Sequence, residues 1–304
     1  MTAQLSVIIV NYYSEASLLG CLASVAESIE SGSMEILVVD NGSDLEAFRS
    51  LLLDFPAVRW IQPGSNLGFG KACNLAASEA IGHHLLFLNP DTVVPASSLN
   101  SLLLELDHPP LNSSIVGLSI VNPDGSPQFS ARSFPDWRTA FANRYSLLTR
   151  LIPGNSWSRG YLQSTIDRNK ASTVDWVSGA ALLLPRAVFN ELGGFDDRFF
   201  MYMEDVDLCL RANRRGIPVW YWPEAFVQHE IGASSSTCSF RALKYRHISI
   251  WRYYLKHLHA PLADPFVALF LLLRFTFIAA AGALKRPTSS QHRVRRIEPS
   301  PKLD

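Results

Sequence analysis

The chain has 304 residues, enough for one large domain or two, and its 48% hydrophobic and 18% charged content indicates a folded globular protein rather than a disordered one. The 27 basic and 27 acidic residues give a formal net charge of zero, which by itself indicates no polyanionic partner. The distribution is uneven, because residues 236–304 hold 12 Lys or Arg and 3 Asp or Glu, which leaves 15 basic and 24 acidic residues before them. A basic C-terminal extension is typical of contact with an anionic membrane or with nucleic acid.

Strand-length apolar runs alternate with helical patterns over the first 120 residues. The runs LSVIIV, MEILVVD, AVRWI and HHLLFLN predict strands, and residues 15–29 and GKACNLAASEA predict helices. This alternation predicts an α/β fold with a parallel sheet and helices on both faces. Asn11 and Asp40 end two of the predicted strands, the place at which open α/β sheets bind ligands.

Two later stretches in this half also carry candidate site residues. In GSNLGFGKACN, Gly68 and Gly70 precede a helix whose first amide groups, together with Lys71, could meet a phosphate. The spacing matches neither GxGxxG nor a Walker loop, and a turn with a purely structural role is at least as good an explanation. In LLFLNPDT, Asp91 follows a buried strand, and on that ground alone a turn former or helix cap is favoured.

The second half begins with an irregular stretch, from Asn122 to about Ser172, that we expect to be a functional or mobile loop. Strand character resumes in VDWVSGAALLLPR and again in GIPVWYWPEAFVQHE. His229, near the end of the latter, is either a metal ligand or an ordinary half-buried histidine, and the residue by itself favours the second.

Three acids crowd the segment FFMYMEDVDLCLR, at the start of a predicted helix. Acids in a first helical turn interact favourably with the helix dipole, and Asp207 and Arg211 have the i, i+4 spacing of an ion pair. That explanation accounts for Asp207 but not for the bulky apolar residues before Glu204. Adjacent acids beside apolar walls repel each other and lose hydration, so Glu204 or Asp205 is a candidate general base with a raised pKa.

The last apolar segment covers residues 266–284 and has Arg274 near its middle. A straight helix of this length reaches roughly 28 Å, marginal for a bilayer core of about 30 Å, and the arginine makes spanning costly. We expect an amphipathic helix in the membrane interface, with its basic neighbours drawn to anionic lipid. A core helix packed on the body is the alternative.

Cysteine usage and the N-terminus bear on the compartment. The four cysteines form no CxxC pair and no Cys/His cluster of zinc spacing, so we expect reduced thiols, mostly in the core. The apolar run in MTAQLSVIIVN is too short for a signal peptide and lacks a basic region before it. We therefore expect a cytoplasmic protein that is peripheral on the inner face of the cell membrane.

Seven ordered blocks together resemble the family 2 inverting glycosyltransferases of the GT-A fold, and most closely their bacterial rhamnosyltransferase-like branch. The blocks are SVIIVNYYSEASLLGCLASV, ILVVDNGS, NLGFGKACN, FLNPDT, WVSGAALLLPR, GGFDDRFFMYMEDVDLCLR and VQHE. The resemblance covers about residues 5–255, and it is the order of all seven blocks that makes it specific. It implies a Rossmann-like nucleotide-binding sheet that continues into an acceptor-binding half.

The resemblance also implies roles for the polar residues of the first half. The nucleotide base would lie near the first two strand ends, at Val10, Asn11 and Asp40. The loop Asn66–Lys71 would help to hold the nucleotide, through Asn66, Gly68, Gly70 and Lys71. The DxD metal motif of the family corresponds to Asn89, Pro90 and Asp91, so that Asn89 replaces the first Asp and Asp91 is the motif's one carboxylate.

For the second half, the resemblance implies that Asp205 is the catalytic base and that Glu204 orients or binds the acceptor. His229 would join Asp91 as a metal ligand, and a site of oxygen plus one imidazole suits Mg²⁺ or Mn²⁺. Trp176, Ser178 and Gly179 would line the donor and acceptor pocket, although core packing explains Trp176 nearly as well.

The expected organisation is a glycosyltransferase domain over residues 1–258 and a membrane-associating helix with a basic tail over 259–304. Within the domain, residues 1–120 would bind the nucleotide sugar and residues 121–258 would bind the acceptor. The expected donor is dTDP-rhamnose, with UDP-sugars second, and the acceptor is a saccharide or a lipid-linked saccharide in envelope polysaccharide synthesis. No nucleic acid is expected, because the basic tail adjoins an apolar helix and no nucleic-acid module is recognisable. A nucleotidyltransferase and a non-catalytic membrane-bound scaffold are the two alternatives.

Overall fold

A computed structural model describes residues 3–26, 33–43, 45–136, 167–229 and 240–284. Eleven strands are found in these ranges, namely β1 (Leu5–Asn11), β2 (Met34–Asp40), β3 (Arg59–Ile61), β4 (His84–Leu88), β5 (Thr92–Val93), β6 (Ile115–Val121), β7 (Ala131–Arg132), β8 (Ser172–Thr173), β9 (Trp176–Val177), β10 (Ala181–Pro185) and β11 (Val219–His229). The same ranges hold eight helices, namely α1 (Glu15–Ala26), α2 (Leu45–Asp54), α3 (Phe69–Glu79), α4 (Ala96–Glu105), α5 (Arg186–Leu192), α6 (Glu204–Asn213), α7 (Phe240–His257) and α8 (Asp264–Leu284).

One mixed sheet organises the chain, in the order β3-β2-β1-β4-β10-β6-β11-β5, with β8 paired to β11. Strands β1 to β4 pair in parallel, and β6 pairs in parallel with β11. Strand β10 runs antiparallel between β4 and β6 and joins these two groups into one sheet. The α/β fold with a mostly parallel sheet, expected from the alternating pattern, is confirmed.

Both faces of the sheet are covered, which explains why its central strands are apolar throughout. One hydrophobic cluster packs α3, α5 and α6 on one face, and a second packs α1 and α4 on the other. Strands β1, β4 and β10 are buried along their whole length. Helices therefore lie on both faces, as the sequence predicted.

The segment VDWVSGAALLLPR is not one strand. It divides into β9 and β10, and residues 178–180 leave the strand conformation between them. Strand β9 pairs with β7 in a separate two-stranded sheet, whereas β10 enters the main sheet. The break lies at the edge where β4 ends, because Asn89 N–H donates to Ala180 O at 3.0 Å. Much of the long irregular stretch before it, residues 137–166, lies outside the described residues.

Helices α7 and α8 follow the last strand and pack against each other through Phe275, whose ring contacts Phe240 and His247. Among the described helices, α8 alone is long and apolar enough to cross a membrane by length and composition, with a mean hydropathy of 2.0 over residues 264–282. Only 6% of that segment is buried, and Leu271 is its one buried hydrophobic residue. The large apolar side chains on its other side are exposed, namely Phe266, Leu269, Leu272, Leu273 and Phe277.

Candidate active site

The first two parallel strands deliver a connected pair of polar side chains to their carboxyl ends. Asn11 and Asp40 are adjacent in register, and both are buried. Asn11 Nδ2 donates to Asp40 Oδ1 at 3.2 Å and to Ser43 Oγ at 2.7 Å, and the Ser43 hydroxyl donates to the same carboxylate. Val10 lies just before them in β1 and is 8% exposed. This edge of the sheet offers polar groups to a heterocyclic ring, and contact of Val10, Asn11 and Asp40 with the nucleotide base stays a prediction.

The glycine loop before α3 packs against the backbone of Phe200. Gly68 has a φ of 81°, and a Cβ at this position would overlap the carbonyl oxygen of Phe200. Phe69 N–H donates to that same oxygen at 2.9 Å, so the first amide group of the helix already has a partner. The Asn66 side chain accepts from Gly68 N–H at 2.8 Å. The loop is thereby fixed against the segment that precedes Glu204.

The other two residues of this loop differ in exposure. Gly70 is buried, and a Cβ there would lie 3.1 Å from Phe195 Cβ and 3.5 Å from Glu204 Cβ. A packing role therefore accounts for Gly70, because only a glycine lets α3 approach this closely. Lys71 is exposed and free to reach an anion. Nucleotide binding by Asn66, Gly68, Gly70 and Lys71 stays a prediction.

Asp91 and His229 are far apart in the sequence but lie next to each other in the structure. Thr92 pairs with His229 between β5 and β11, and this pairing brings Asp91 Oδ1 to 3.1 Å from His229 Nε2. Both side chains are largely buried, at 4% and 17% exposure. Asn89 is tied by its backbone to Ala180. The two residues predicted as metal ligands are thus in contact.

The Asp91–His229 pair fits a divalent cation only in part. Two ligands at right angles on a cation with bonds of about 2.1 Å lie about 3 Å apart, which matches the observed distance. Within the described ranges, no three His, Cys, Asp or Glu side chains group as a metal site. A two-ligand site suits Mg²⁺ or Mn²⁺, which take their remaining ligands from water and substrate phosphates.

The two acids at the start of α6 differ in exposure and in their partners: Glu204 is buried and Asp205 is half-buried. Asp205 Oδ2 accepts from Gly179 N–H at 3.0 Å, and Oδ1 accepts from its neighbour Val206 N–H at 2.8 Å. Burial raises the pKa of Asp205, against the lowering effect of these N–H groups and of the Arg132 charge. A carboxylate that is anchored and has a raised pKa is suited to accept a proton.

Glu204 is the more deeply buried of the two acids. It is 6% exposed, and its Oε2 has no hydrogen-bond partner among the described residues. Burial and the adjacent Asp205 charge raise the pKa of Glu204 to about 8. Glu204 is therefore protonated at neutral pH, and it lies against Gly70 of α3.

Residues 176–179 form the segment that lies beside Asp205. Trp176 is 8% exposed, and its Nε1 donates to Ser133 O at 2.8 Å, so packing accounts for this residue. Ser178 N–H donates to Ser130 O at 2.9 Å. A Cβ on Gly179 would lie 3.5 Å from Asp205 Cβ. Pocket roles for Trp176, Ser178 and Gly179 stay predictions, whereas contact of Gly179 with the predicted base is observed.

The turn before Glu204 has an unusual backbone that the sequence did not indicate. Tyr202 and Met203 have φ values of 70° and 71°, a region that costs non-glycine residues energy and that persists where the surroundings enforce it. The Arg246 guanidinium lies 4.7 Å from the centre of the Tyr202 ring, and Ser249 Oγ donates to Met201 O. Helix α7 therefore holds this turn from outside.

Asp207 joins helix α6 to helix α7. It is fully buried and accepts from Arg211 at 2.8 Å, as its i, i+4 spacing predicted, and also from Lys256 and His257 of α7. Although burial acts to raise it, the pKa of Asp207 is lowered by hydrogen bonds from His257, Lys256 and Arg211. The contacts from α7 could not be predicted from sequence, since they join residues about 50 positions apart.

Comparisons with known proteins agree with this geometry. Residues 6–193, more than half of the chain, match the family model "Glycosyl transferase family 2". The chain is 32% identical over 240 residues to N-acetylglucosaminyl-diphospho-decaprenol L-rhamnosyltransferase of Mycobacterium tuberculosis, an alignment that covers 75% of this chain and 76% of the relative. It is 25% identical over 229 residues to rhamnosyltransferase WbbL of Escherichia coli K12, covering 72% and 81%.

Two solved structures share the fold. The mannosyltransferase PcManGT from Pyrobaculum calidifontis, in complex with GDP-Man and Mn²⁺, aligns with a TM-score of 0.57 at 15% identity, over 94% of this chain and 77% of that one. GalNAc-T7 with UDP, GalNAc and Mn²⁺ aligns with a TM-score of 0.56 at 18% identity, over 75% of this chain and 43% of that one, so this chain spans less than half of it. With the family model and the mycobacterial relative in agreement, the chain belongs to glycosyl transferase family 2 and is a glycosyltransferase.

Proposed function

We propose that the chain is an inverting, metal-dependent glycosyltransferase that moves a sugar from a nucleoside diphosphate donor to a hydroxyl group of a saccharide or lipid-linked acceptor. The observation that carries the proposal is the position of Asp205. Its carboxylate is fixed by Gly179 N–H, next to the Ala180 carbonyl that receives Asn89 N–H. The proposed base and the proposed metal-binding segment thus adjoin the same break between β9 and β10.

In this mechanism Asp205 takes the proton from the acceptor hydroxyl group while the oxygen of that hydroxyl attacks the anomeric carbon. The bond from that carbon to the diphosphate oxygen breaks in the same step, and its electron pair leaves with the nucleoside diphosphate. Because attack comes from the side opposite the leaving group, the anomeric configuration inverts. Gly179 and Val206 keep the carboxylate in one orientation throughout.

Asp91 and His229 would hold the divalent cation, Mn²⁺ or Mg²⁺. When bound, the cation offsets the negative charge that develops on the leaving diphosphate. Asn11 and Asp40 would contact the nucleotide at the ends of β1 and β2, with Val10 beside them, and the Asn66–Lys71 loop would approach the same ligand. Glu204, adjacent to Asp205 at the start of α6, would help to orient the acceptor.

The names of the relatives support the choice of donor and acceptor. Two of them are called rhamnosyltransferases, and one of these is named for a diphospho-decaprenol acceptor. We therefore place dTDP-rhamnose first and UDP-sugars second as donors, with a lipid-linked saccharide as acceptor. The exposed apolar side of α8 supports peripheral attachment to an anionic membrane on the cytoplasmic side, where such an acceptor is reached.

A transfer assay with the full chain, liposomes and Mn²⁺ tests the proposal. The assay offers dTDP-rhamnose, UDP-glucose or UDP-N-acetylglucosamine with a polyprenyl-diphosphate-linked N-acetylglucosamine acceptor, and NMR of the product reports the anomeric configuration. We expect transfer from dTDP-rhamnose with inversion. Retention of configuration would overturn the mechanism, and pyrophosphate release from dTTP and a sugar phosphate would favour a nucleotidyltransferase. Absence of both transfer and donor hydrolysis would favour the scaffold, to which the Asn89 replacement gives some support.

A further inference from the structure

Gln128 is a half-buried residue beside the Asp91–His229 pair, and the mechanism does not use it. Its side-chain Nε2 donates to His229 O at 2.7 Å and to Asn122 Oδ1 at 2.9 Å. A backbone carbonyl can only accept a hydrogen bond, so the contact with His229 O settles which end of the amide is nitrogen. The other end, Oε1, lies 3.1 Å from His229 Nδ1. The backbone of Gln128 is fixed as well, because its N–H donates to Ile120 O and its carbonyl accepts from Arg168.

The contact with Gln128 favours one position for the hydrogen of the imidazole. The amide oxygen of Gln128 only accepts, so a hydrogen bond between the two residues places the hydrogen on His229 Nδ1. In the neutral ring, Nε2 then keeps its lone pair, and this is the atom 3.1 Å from Asp91 Oδ1. A carboxylate oxygen also only accepts, so Asp91 by itself would draw a hydrogen onto Nε2. Gln128 and Asp91 therefore favour opposite tautomers of the same ring.

We propose that Gln128 is a positioning residue that holds His229 in the Nδ1–H tautomer and thereby keeps the Nε2 lone pair available to a divalent cation shared with Asp91. Without Gln128, a hydrogen bond from Nε2–H to Asp91 Oδ1 forms and closes the site to the cation. Partners of this kind fix the tautomer and the orientation of metal-binding histidines, and their loss weakens metal binding by about 10- to 100-fold. The inference rests on the proposed metal role of Asp91 and His229.

The first experiment needs no variant and no metal. Two-bond ¹⁵N–¹H correlation spectra of the ¹⁵N-histidine-labelled full chain are recorded at about pH 8.5, above the ordinary histidine pKa of about 6.5. The His229 resonances are assigned by their absence from the spectrum of His229→Gln. We expect a protonated Nδ1 and an unprotonated Nε2. A hydrogen on Nε2, either alone or together with one on Nδ1, would overturn the inference.

The second experiment compares Gln128→Leu with Gln228→Leu. Gln228 precedes His229 in β11, so its side chain points to the other side of the strand, which makes the same substitution there a matched control. Affinity for Mn²⁺ alone is measured from the loss of the free-ion signal in electron paramagnetic resonance. We expect Gln128→Leu to move the hydrogen to Nε2 and to weaken Mn²⁺ binding by about 10- to 100-fold, with Gln228→Leu unchanged.

The outcomes separate this inference from the proposed function. Unchanged Mn²⁺ affinity in a folded Gln128→Leu protein would refute the role of Gln128. If Gln128→Leu fails to fold, the spectrum of the wild-type protein still decides the tautomer. A wild-type protein that has the Nδ1–H form and binds no Mn²⁺ would confirm the tautomer selection and contradict the metal role of Asp91 and His229.

Discussion

Asp205 Oδ2 lies 3.0 Å from the backbone N of Gly179, and this hydrogen bond joins the first turn of α6 to the break between β9 and β10. Because the strand is interrupted at residues 178–180, Gly179 N–H donates to Asp205 instead of to a neighbouring strand. Because the second oxygen accepts from Val206 N–H, both oxygens of the carboxylate have backbone partners. The proposed base is therefore oriented by the main chain and does not depend on another side chain.

Substitution of this residue gives the first prediction. Asp205→Asn is nearly the same size and removes the proton acceptor, so we expect kcat to fall by about 10²- to 10⁴-fold with donor affinity nearly unchanged. The measurement is transfer kinetics with calorimetry of nucleotide binding, and Asp54→Asn, on the exposed end of α2, is the control. Transfer at the wild-type rate by Asp205→Asn would mean that another group is the base.

Metal removal gives the second prediction. We expect chelation by EDTA to abolish transfer and added Mn²⁺ to restore it, because in the proposed function Asp91 and His229 supply two ligands of one cation. His229→Ala should raise the Mn²⁺ concentration for half-maximal activity by about tenfold or more, since it removes one of these ligands. His108→Ala, on an exposed surface with a 67% exposed side chain, should behave like the wild type. Full activity in EDTA would rule out the metal role.

The buried Glu204 gives a prediction about stability and pH. Its pKa is raised in the folded protein, so the folded state binds a proton that the unfolded state releases above the ordinary pKa of about 4.3. Stability that comes from this proton is fully present at low pH and is lost as the pH rises toward 8. The glutamine in Glu204→Gln stays neutral at every pH. We therefore expect the free energy of unfolding of the variant, relative to that of the wild type, to rise between about pH 5 and pH 8, by at most about 1.4 kcal/mol per pH unit.

Thermal and urea unfolding of Glu204→Gln and of the wild type at several pH values check this prediction. Glu191→Gln, at an exposed position of α5, is a matched control in which no such trend is expected. A difference between Glu204→Gln and the wild type that is the same at pH 5 and pH 8 would contradict a raised pKa for Glu204.

Two glycines with similar φ angles give the fourth prediction. Gly64 and Gly68 have φ values of 77° and 81°, but a Cβ at Gly64 meets open space whereas one at Gly68 overlaps Phe200 O. Gly64→Ala should cost about 1–2 kcal/mol from backbone strain alone. Gly68→Ala should cost about 1–3 kcal/mol more and weaken nucleotide binding, because it displaces the turn before Glu204. Equal losses of unfolding free energy in the two variants would show that the contact with Phe200 contributes nothing.

The exposed side of α8 gives the fifth prediction. Phe266 and Phe277 are 73% and 75% exposed, and burying a phenylalanine in an apolar phase is worth about 1.5–3 kcal/mol. The double variant Phe266→Ser/Phe277→Ser should therefore bind anionic liposomes at least about tenfold more weakly in sedimentation. The control is Leu53→Ser/Leu104→Ser, two equally exposed residues on α2 and α4. Equal binding by both double variants would refute attachment through α8.

The fold was largely predictable because its signal is local. Buried parallel strands are apolar throughout, and β1, β2 and β4 were identified with bounds within a few residues of those observed. The division into β9 and β10 was missed, since nothing in the run WVSGAALLLPR ends a strand except Gly179, and a single glycine is a weak signal. Helix α2 was also missed, although its sequence has an amphipathic helical pattern.

The sequence indicated candidate site residues, but it did not indicate the residues that hold them in place. Asp91, Asp205 and His229 came from ordered motifs, and the contact between Asp91 and His229 is observed. Gln128 was not singled out, because its two contacts with His229 cross about 100 positions of the chain and leave no local pattern. The left-handed turn at Tyr202 and Met203 was likewise invisible, since neither residue type favours that conformation.

Helix α7 contacts both the turn before Asp205 and the exposed helix α8. Its residues Tyr245, Ser249 and Lys256 reach the segment 196–207, while His247 and Tyr254 reach Phe275 and Asp264. If α8 rests on the bilayer, helix α7 sets the height of Asp205 above the lipid headgroups. An acceptor would then be selected by length, because only a hydroxyl at the matching distance from its lipid phosphate could reach the carboxylate.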